Sequence, residues 1–419
     1  MLPKMMRIRQ RFAAARLDDV TGAVTRGVRA LELEGRIASG ARVAVGCSSR
    51  GIANYPAIVR ATVDALRELG ADPFLIPAMG SHGAATAEGQ VAVLSRLGID
   101  PETMGAPIRS SMDVVQIDTT AGGLPVFVDA YAAQADHLVL VNRVKSHTDF
   151  THEFESGLLK MLALGLGKQR GAELYHREML ARGYPSVISQ VAECILATGK
   201  LLFGVGVVEN AYAETAEIAV LPPERLAAAE AALLRRAKAL AARLPFDEID
   251  LLVIDEIGKD VSGAGFDPKI VGRPPVDDSS DGPHVKRLAV RDLTEATQGH
   301  AMGIGFADFT TRRLVEKIDR AALYANALTA SAPEDARIPL TVESDREMID
   351  AALGTIGPVP PERARIVRIR NTLALGEIEV SEAYQPELAG HPELQVIEAP
   401  RSMFGADGEL PPLPGCARA

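Results

Sequence analysis

The sequence contains no tryptophan, and all aromatic residues together fill 4% of its 419 positions. So few ring faces exclude a base-stacking surface for single-stranded nucleic acid. Positive charge is also in deficit: 45 Lys and Arg against 55 Asp and Glu leave a formal charge of −10. A chain of that sign is not expected to bind nucleic acid or an anionic membrane, and any anionic ligand needs a local basic pocket. Three cysteines occur, Cys47, Cys194 and Cys416, far apart and without a CxxC pair. That excludes a cysteine-ligated zinc, an iron–sulfur cluster and a disulfide framework. The start, "MLPKMMRIRQRFAAARLDDV", lacks the apolar centre of a signal peptide. No run of about 18 uninterrupted apolar residues follows. The expected setting is the reducing cytoplasm.

What remains is an ordinary globular composition, 47% hydrophobic and 24% charged, in a chain long enough for two domains. Short Val/Ile-rich runs alternate with helical patterns. "ARVAVG" (41–46), "PFLIPA" (73–78) and "HLVLVNRV" (137–144) read as buried strands. "PAIVRATVDALREL" (56–69) reads as a helix with Pro56 in its first turn. Thr86 is the expected N-cap of a helix through "EGQVAVLSRLG", and "PSVISQVAECILATG" (185–199) is a further helix. This alternation predicts mainly parallel sheets covered by helices. The alanine-rich segment 222–246 reads as one long helix closed by Pro245, joining two α/β domains, 1–244 and 245–419. The second domain opens with "IDLLVIDEIG" (249–258). It later carries a capping box, Ser344 and Glu347, and a strand "ARIVRIRN" (364–371). The tail "LPPLPGCARA" has no periodicity and reads as loose.

Four loops carry candidate chemistry. "GCSSRGIANYP" (46–56) and "MGSHGAATAEG" (79–89) each join a strand to a helix, where backbone N–H groups and the helix N-terminus favour an anion. Ser49, Ser81 and the guanidinium of Arg50 are candidate anion ligands there. Plain turn chemistry also fits such loops. His82 stands between small residues, which leaves its imidazole accessible. "NRVKSHTDFTHEFESG" (142–157) gathers Arg143, Lys145, His147 and His152 with Asp149 and Glu153, although a strand exit that merely meets water has the same look. Lys160 then falls among Leu158, Leu159, Met161, Leu162 and Leu164, where an ammonium is costly unless paired, neutralised or used. A lysine whose stem lies along apolar surface with its head in water is the ordinary alternative. "GLGKQRGAELYH" (165–176) matches neither G-x-G-x-x-G nor a P-loop. Together these groups suit a reaction with two proton-transfer residues and an electrophilic centre.

In order and spacing these segments resemble the nickel-pincer-nucleotide lactate racemase family over about residues 40–245. "GSHGAAT" is similar to that family's G-[ST]-H-x-x-x-T through His82, and "SHTDFTHEFESGLLK" resembles its second-histidine and lysine segment. His176 lies sixteen residues beyond Lys160, the family's spacing from cofactor lysine to metal histidine. The resemblance implies that Lys160 is acylated by a nickel-pincer nucleotide (pyridinium-3,5-bisthiocarboxylic acid mononucleotide nickel), which would remove its charge. It implies His176 as ligand of the Ni²⁺, and His82 and His147 as the acid–base pair. The implied activity is racemisation or epimerisation of a 2-hydroxy acid by a hydride shuttle, in a cleft between the domains. Arg50, Ser49 and Ser81 would hold cofactor, Arg50 and Lys259 the substrate, and cofactor-synthesis enzymes would mature the protein.

The sequence also departs from that family. "CSSRG" keeps Arg50 but has Cys47 at the acidic position of D-x-T-R-P, and position 150 is Phe150 where the second histidine is expected. His147 is preferred over His152 because "RVKSH" leaves the strand directly. The Tyr/Gln/Lys substrate loop is replaced by "DEIGKDVSGAGFDPKIVGRP" (255–274), which points away from lactate itself and leaves Lys259, Lys269 and Arg273 to meet a carboxylate. His300, Asp308 and Arg312 in the glycine-rich stretch 297–313 add to the candidates, although a buried αβ connection fits that stretch equally well. Two other readings stay open: a metal-dependent lyase or hydrolase using His82, His147 and His176 directly, and a non-catalytic nucleotide- or anion-binding module.

Overall fold

The computed structural model describes residues 2–148, 150–274 and 282–413. Asp149 and Cys416, both named above, lie outside the described residues, as does the end of the tail. The chain divides into two compact units, Ala13–His147 with Thr151–Ala241, and Met1–Phe12 with Thr148–Phe150 and Ala242–Ala419. The strands in chain order are β1 (Met5–Gln10), β2 (Arg42–Cys47), β3 (Asp72–Pro77), β4 (Val114–Thr119), β5 (Pro125–Asp129), β6 (His137–Arg143), β7 (Leu201–Glu209) and β8 (Thr215–Leu221). There follow β9 (Glu248–Ile257), β10 (His284–Leu293), β11 (Phe309–Thr311), β12 (Leu340–Val342), β13 (Ile366–Ile369), β14 (Glu377–Ser381) and β15 (Leu394–Arg401). No helix among the described residues is long and apolar enough to cross a membrane.

The first unit is built on a five-stranded sheet of order β3-β2-β6-β7-β8, parallel except for the β7–β8 pair. Its strands are apolar on both faces, as a sheet covered on both sides requires. Val43, Val45, Val139, Val141, Phe203 and Val205 are buried beside Ile58, Val59, Val63 and Leu66 of the helix Tyr55–Glu68. Thr86 caps the helix Ala87–Arg96 by accepting from the Gly89 N–H at 3.0 Å. A separate antiparallel hairpin, β4–β5, was not legible, because its β4 residues are mostly exposed and lack an apolar alternation. The alanine-rich helix is shorter than expected, Leu226–Leu240, and packs on β7 through Leu226 and Leu233. It breaks before Pro245, and the chain enters the other unit directly after it.

The second unit holds an eight-stranded mixed sheet of order β12-β11-β10-β9-β13-β14-β1-β15. Its β12-to-β13 part is parallel and the rest antiparallel. Along β9, Leu252 and Ile254 enter one apolar cluster and Leu251 and Val253 another, as alternation across a pleat dictates. β1 pairs with β14 and β15, so the first residues belong to this sheet and not to the domain numbered 1–244 above. Its partners lie at the far end of the sequence, where no local signal reaches. The capping box at Ser344 forms, with Glu347 N donating to Ser344 Oγ at 3.2 Å. The tail is tied down at its beginning: Arg368 donates to the Pro411 carbonyl at 2.7 Å, and Leu410 N to Asp345 at 3.1 Å.

Candidate active site

In the five-stranded sheet the registers align Cys47 with Pro77 and with Val141, so β2, β3 and β6 end on one edge. The chain runs from β2 to β3 on one side, whereas β6 adds on the other. The direction of winding therefore reverses between β2 and β6, and ligands of open α/β sheets bind at such a point, beyond the carboxyl ends of the strands. The loops 48–54, 78–86 and 144–157 all leave from this edge.

The first loop is pinned from below. Ser48 N donates to the Tyr55 hydroxyl at 2.6 Å, and Ala53 N donates to Glu209 Oε1 at 2.7 Å. Cys47 is fully buried, and burial pushes its thiol up to about 12, so it is a core residue and no nucleophile. Ser49 is half-buried and Arg50 exposed. Partial burial of its guanidinium and the neighbouring Arg143 charge hold the Arg50 pKa below the usual arginine value. Arg143 itself pairs with Glu209. Two guanidiniums this close, at the edge where winding reverses, favour an anion.

In the second loop His82 and Ser81 are exposed. The His82 Nδ1 lies 2.7 Å from the Met79 carbonyl. A carbonyl only accepts, so Nδ1 carries the proton and, in the neutral ring, Nε2 is the basic nitrogen. Gly83, Ala84 and Ala85 follow with φ of 65°, 54° and 54°, a left-handed turn that is unfavourable for alanine. Gly80 N donates to the Gly165 carbonyl at 3.1 Å, which joins this loop to the segment after Lys160.

The third loop closes on itself: Lys145 N donates to Ser156 O at 2.8 Å and Ser156 N to Lys145 O at 3.1 Å. Buried Glu155 accepts from His147 N at 2.6 Å and pairs with Lys238 Nζ at 2.6 Å. Lys160 ends a short helix, Leu158–Lys160, that runs into a π-helical turn, Met161–Gly165. Its amine is half-buried and meets His147 Nε2. His147 is 8% exposed and its ring also faces Tyr184, 5.9 Å between centroids. His152, by contrast, is exposed and lies edge-on to Phe154 at 4.6 Å. The helix that bears Lys160 is anchored by Glu230, whose Oε2 accepts from Leu158 N at 2.7 Å and Leu159 N at 3.0 Å. Burial pushes the Glu230 carboxyl up to about 7, against the pull of those two bonds.

His176 is half-buried on the helix Lys168–Arg182. Ala172, one turn earlier on the same helical face, packs against Gly80. The structure thus joins the His82 loop, the Lys160 segment and the helix of His176 in one unit, with Lys160 and His147 in direct contact. Among the described residues no three His, Cys, Asp or Glu side chains are grouped to hold a metal ion. His82, His147 and His176 are not grouped in that way among the described residues. Lys259 belongs to the other unit, at the carboxyl end of β9, with its backbone N–H on Thr297 Oγ1 at 3.1 Å. Burial and the Lys259 charge lower the pKa of nearby His300. Arg273 is engaged with Asp308 at 3.1 Å and Arg312 with Glu343, so these candidates have structural partners.

Sequence reasoning passed over Gln90, Asp129, Lys168 and Glu230, which are all fully buried. A glutamate inside an alanine-rich helix and a lysine after Gly-Leu-Gly look like surface residues. The one available signal was the apolar company each keeps.

Residues 16–184 match the lactate racemase N-terminal domain. No curated protein matches the sequence. Among solved structures, the lactate racemase apoprotein from Thermoanaerobacterium thermosaccharolyticum has a similar fold. The match covers 88% of this chain and 93% of that one at 14% identity, with a TM-score of 0.50. The segment 16–184 is thus similar to a lactate racemase N-terminal domain, and the α/β fold of the chain is similar to that of the lactate racemase apoprotein.

Proposed function

We propose that the protein is a racemase or epimerase of a 2-hydroxy acid that works through a nickel-pincer nucleotide tethered to Lys160. The observation that carries this reading is the contact of Lys160 with His147 on the sheet edge that also bears His82. The residues fit such a group on two counts. An amine held against an imidazole in apolar surroundings suits a lysine destined for acylation, since an acylated nitrogen carries no charge to bury. The imidazole of His176, half-buried on the helix that meets the His82 loop at Ala172, would be the protein's donor to a metal whose other donors come with the nucleotide. The bound group would supply hydride acceptance and return at the substrate α-carbon.

The chain's own residues would do the rest. Arg50, beside Arg143, would bind the carboxylate or the nucleotide phosphate, with Ser49 and Ser81 as further donors. The Nε2 of His82 would take the hydroxyl proton of one enantiomer and give it back. His147 would serve the other enantiomer, each group contributing roughly 10²–10⁴-fold. The replaced loop at 255–274 favours an acid other than lactate. Maturation would require the enzymes that make the nucleotide.

The test is intact mass of protein produced together with those enzymes, followed by polarimetry on a panel of chiral 2-hydroxy acids. A mass increase located on Lys160 and loss of optical rotation are expected. Protein that stays unmodified at Lys160 under those conditions overturns the reading.

A further inference from the structure

Eight residues beyond Lys160 stands a second lysine that the proposed chemistry leaves unused. Lys168 is fully buried and takes a left-handed φ of 52°. Its Nζ lies 2.8 Å from the Pro77 carbonyl, 2.7 Å from Gln90 Oε1 and 3.1 Å from Asp129 Oδ2. An ammonium offers donors and no acceptor: it donates to Pro77 O and Gln90 Oε1, and the Asp129 carboxylate beside it balances its charge. This also fixes the orientation of the Gln90 amide, since only its oxygen can face Lys168. The opposite end, Nε2, therefore points at the carbonyls of Gly80, 2.8 Å away, and His82, 3.2 Å away. Asp129 in turn accepts from Tyr131 N and Ala132 N through Oδ1, and its own N–H donates to Leu166 O at 2.7 Å.

A buried ion pair is a costly way to fill a core, and an apolar residue of similar volume serves stability as well or better. What the pair does here is orient one amide, and that amide grips the two carbonyls on either side of Ser81. Directly after them come Gly83, Ala84 and Ala85 in the left-handed region, which is unfavourable for each alanine. Such a conformation lasts only where its surroundings over-determine it. We propose that Asp129, Lys168 and Gln90 are positioning residues that hold this turn and so keep His82 in the tautomer with Nε2 as proton acceptor. The inference rests on the racemase reading for the use made of the imidazole, but not for its geometry.

Gln90→Glu is the selective perturbation: a glutamate still accepts from Lys168 but cannot donate to Gly80 and His82. The readouts, taken on the unmodified full chain, are the long-range ¹H–¹⁵N NMR pattern of the His82 ring and amide exchange. The wild type should show the Nδ1–H tautomer. In the variant the Nε2–H form should appear, and exchange at Ala85 and Thr86 should quicken by about tenfold or more while Val45 stays protected. Lys168→Met, which frees the amide from the other side, should move the same signals. A folded variant of either kind with wild-type ring tautomer and wild-type exchange at Ala85 overturns the proposal. Collapse of the whole unit in both variants overturns it too, since the residues would then serve general stability. Neither readout needs cofactor or turnover. A matured wild type that racemises nothing, while the variants show these shifts, defeats the racemase reading and leaves this one standing.

Discussion

Replacing Glu230 by glutamine probes how the segment bearing Lys160 is anchored. The carboxyl is fully buried, Oε2 accepts the Leu158 and Leu159 amides, and Oε1 has no hydrogen-bond partner among the described residues. Burial raises its pKa from 4.5 to about 7. The folded unit thus holds a proton that the unfolded chain releases. The stability this contributes is fully present below the unfolded value of 4.5 and is lost as pH rises through about 7. At about 1.36 kcal/mol per pH unit, the loss between pH 4 and pH 8 comes to about 3 kcal/mol. Glutamine imitates the protonated carboxyl: its oxygen can accept both amides and its NH₂ occupies the place of Oε1. The variant should therefore lack this loss. Amide exchange at Leu158 and Leu159 across that pH range, read as the difference between variant and wild type, isolates the effect from other carboxylates. The difference should grow in favour of the variant by about 3 kcal/mol. Parallel pH profiles would refute the assignment of a shifted pKa to Glu230 and the anchoring role drawn from it.

Two other substitutions address the same unit. Lys168→Met leaves the Asp129 carboxylate buried without its cation and should cost about 3–5 kcal/mol. For a domain of roughly 150–250 residues each kcal/mol lowers the melting temperature by about 2–4 °C, and adding Asp129→Asn should restore at least about 2 kcal/mol in a thermal double-mutant cycle. Gly83→Ala sets a side chain at φ 65° with its Cβ 2.5 Å from both the Gly89 carbonyl carbon and Gln90 N. It should lose more than about 1–2 kcal/mol in urea titration and disorder the His82 ring signals.

Much of the scaffold around the site was legible. β2, β3 and β6 announce themselves as Val/Ile-rich runs, and the helices between them by their apolar face and by Thr86 at its cap. Their order along the chain implied parallel strands whose exits share an edge, which is where His82 and His147 were placed. Distinguishing His147 from His152 was harder, since both follow the same strand. Only the folded loop turns one ring onto Lys160 and leaves the other against Phe154.

Local periodicity reports which face of an element is apolar, and that suffices for strands, helices and the loops that carry chemistry. It says nothing of a polar side chain whose partners lie 72 to 91 positions away, as Glu230 does for Leu158 and Lys168 for Pro77. In an isolated segment either group would stay in water, because desolvation is repaid only where distant acceptors and donors have been brought together. The amino-acid order by itself thus determined the sheet edge and the candidate groups that its loops carry. Tertiary packing alone decided which buried charges hold those groups in place.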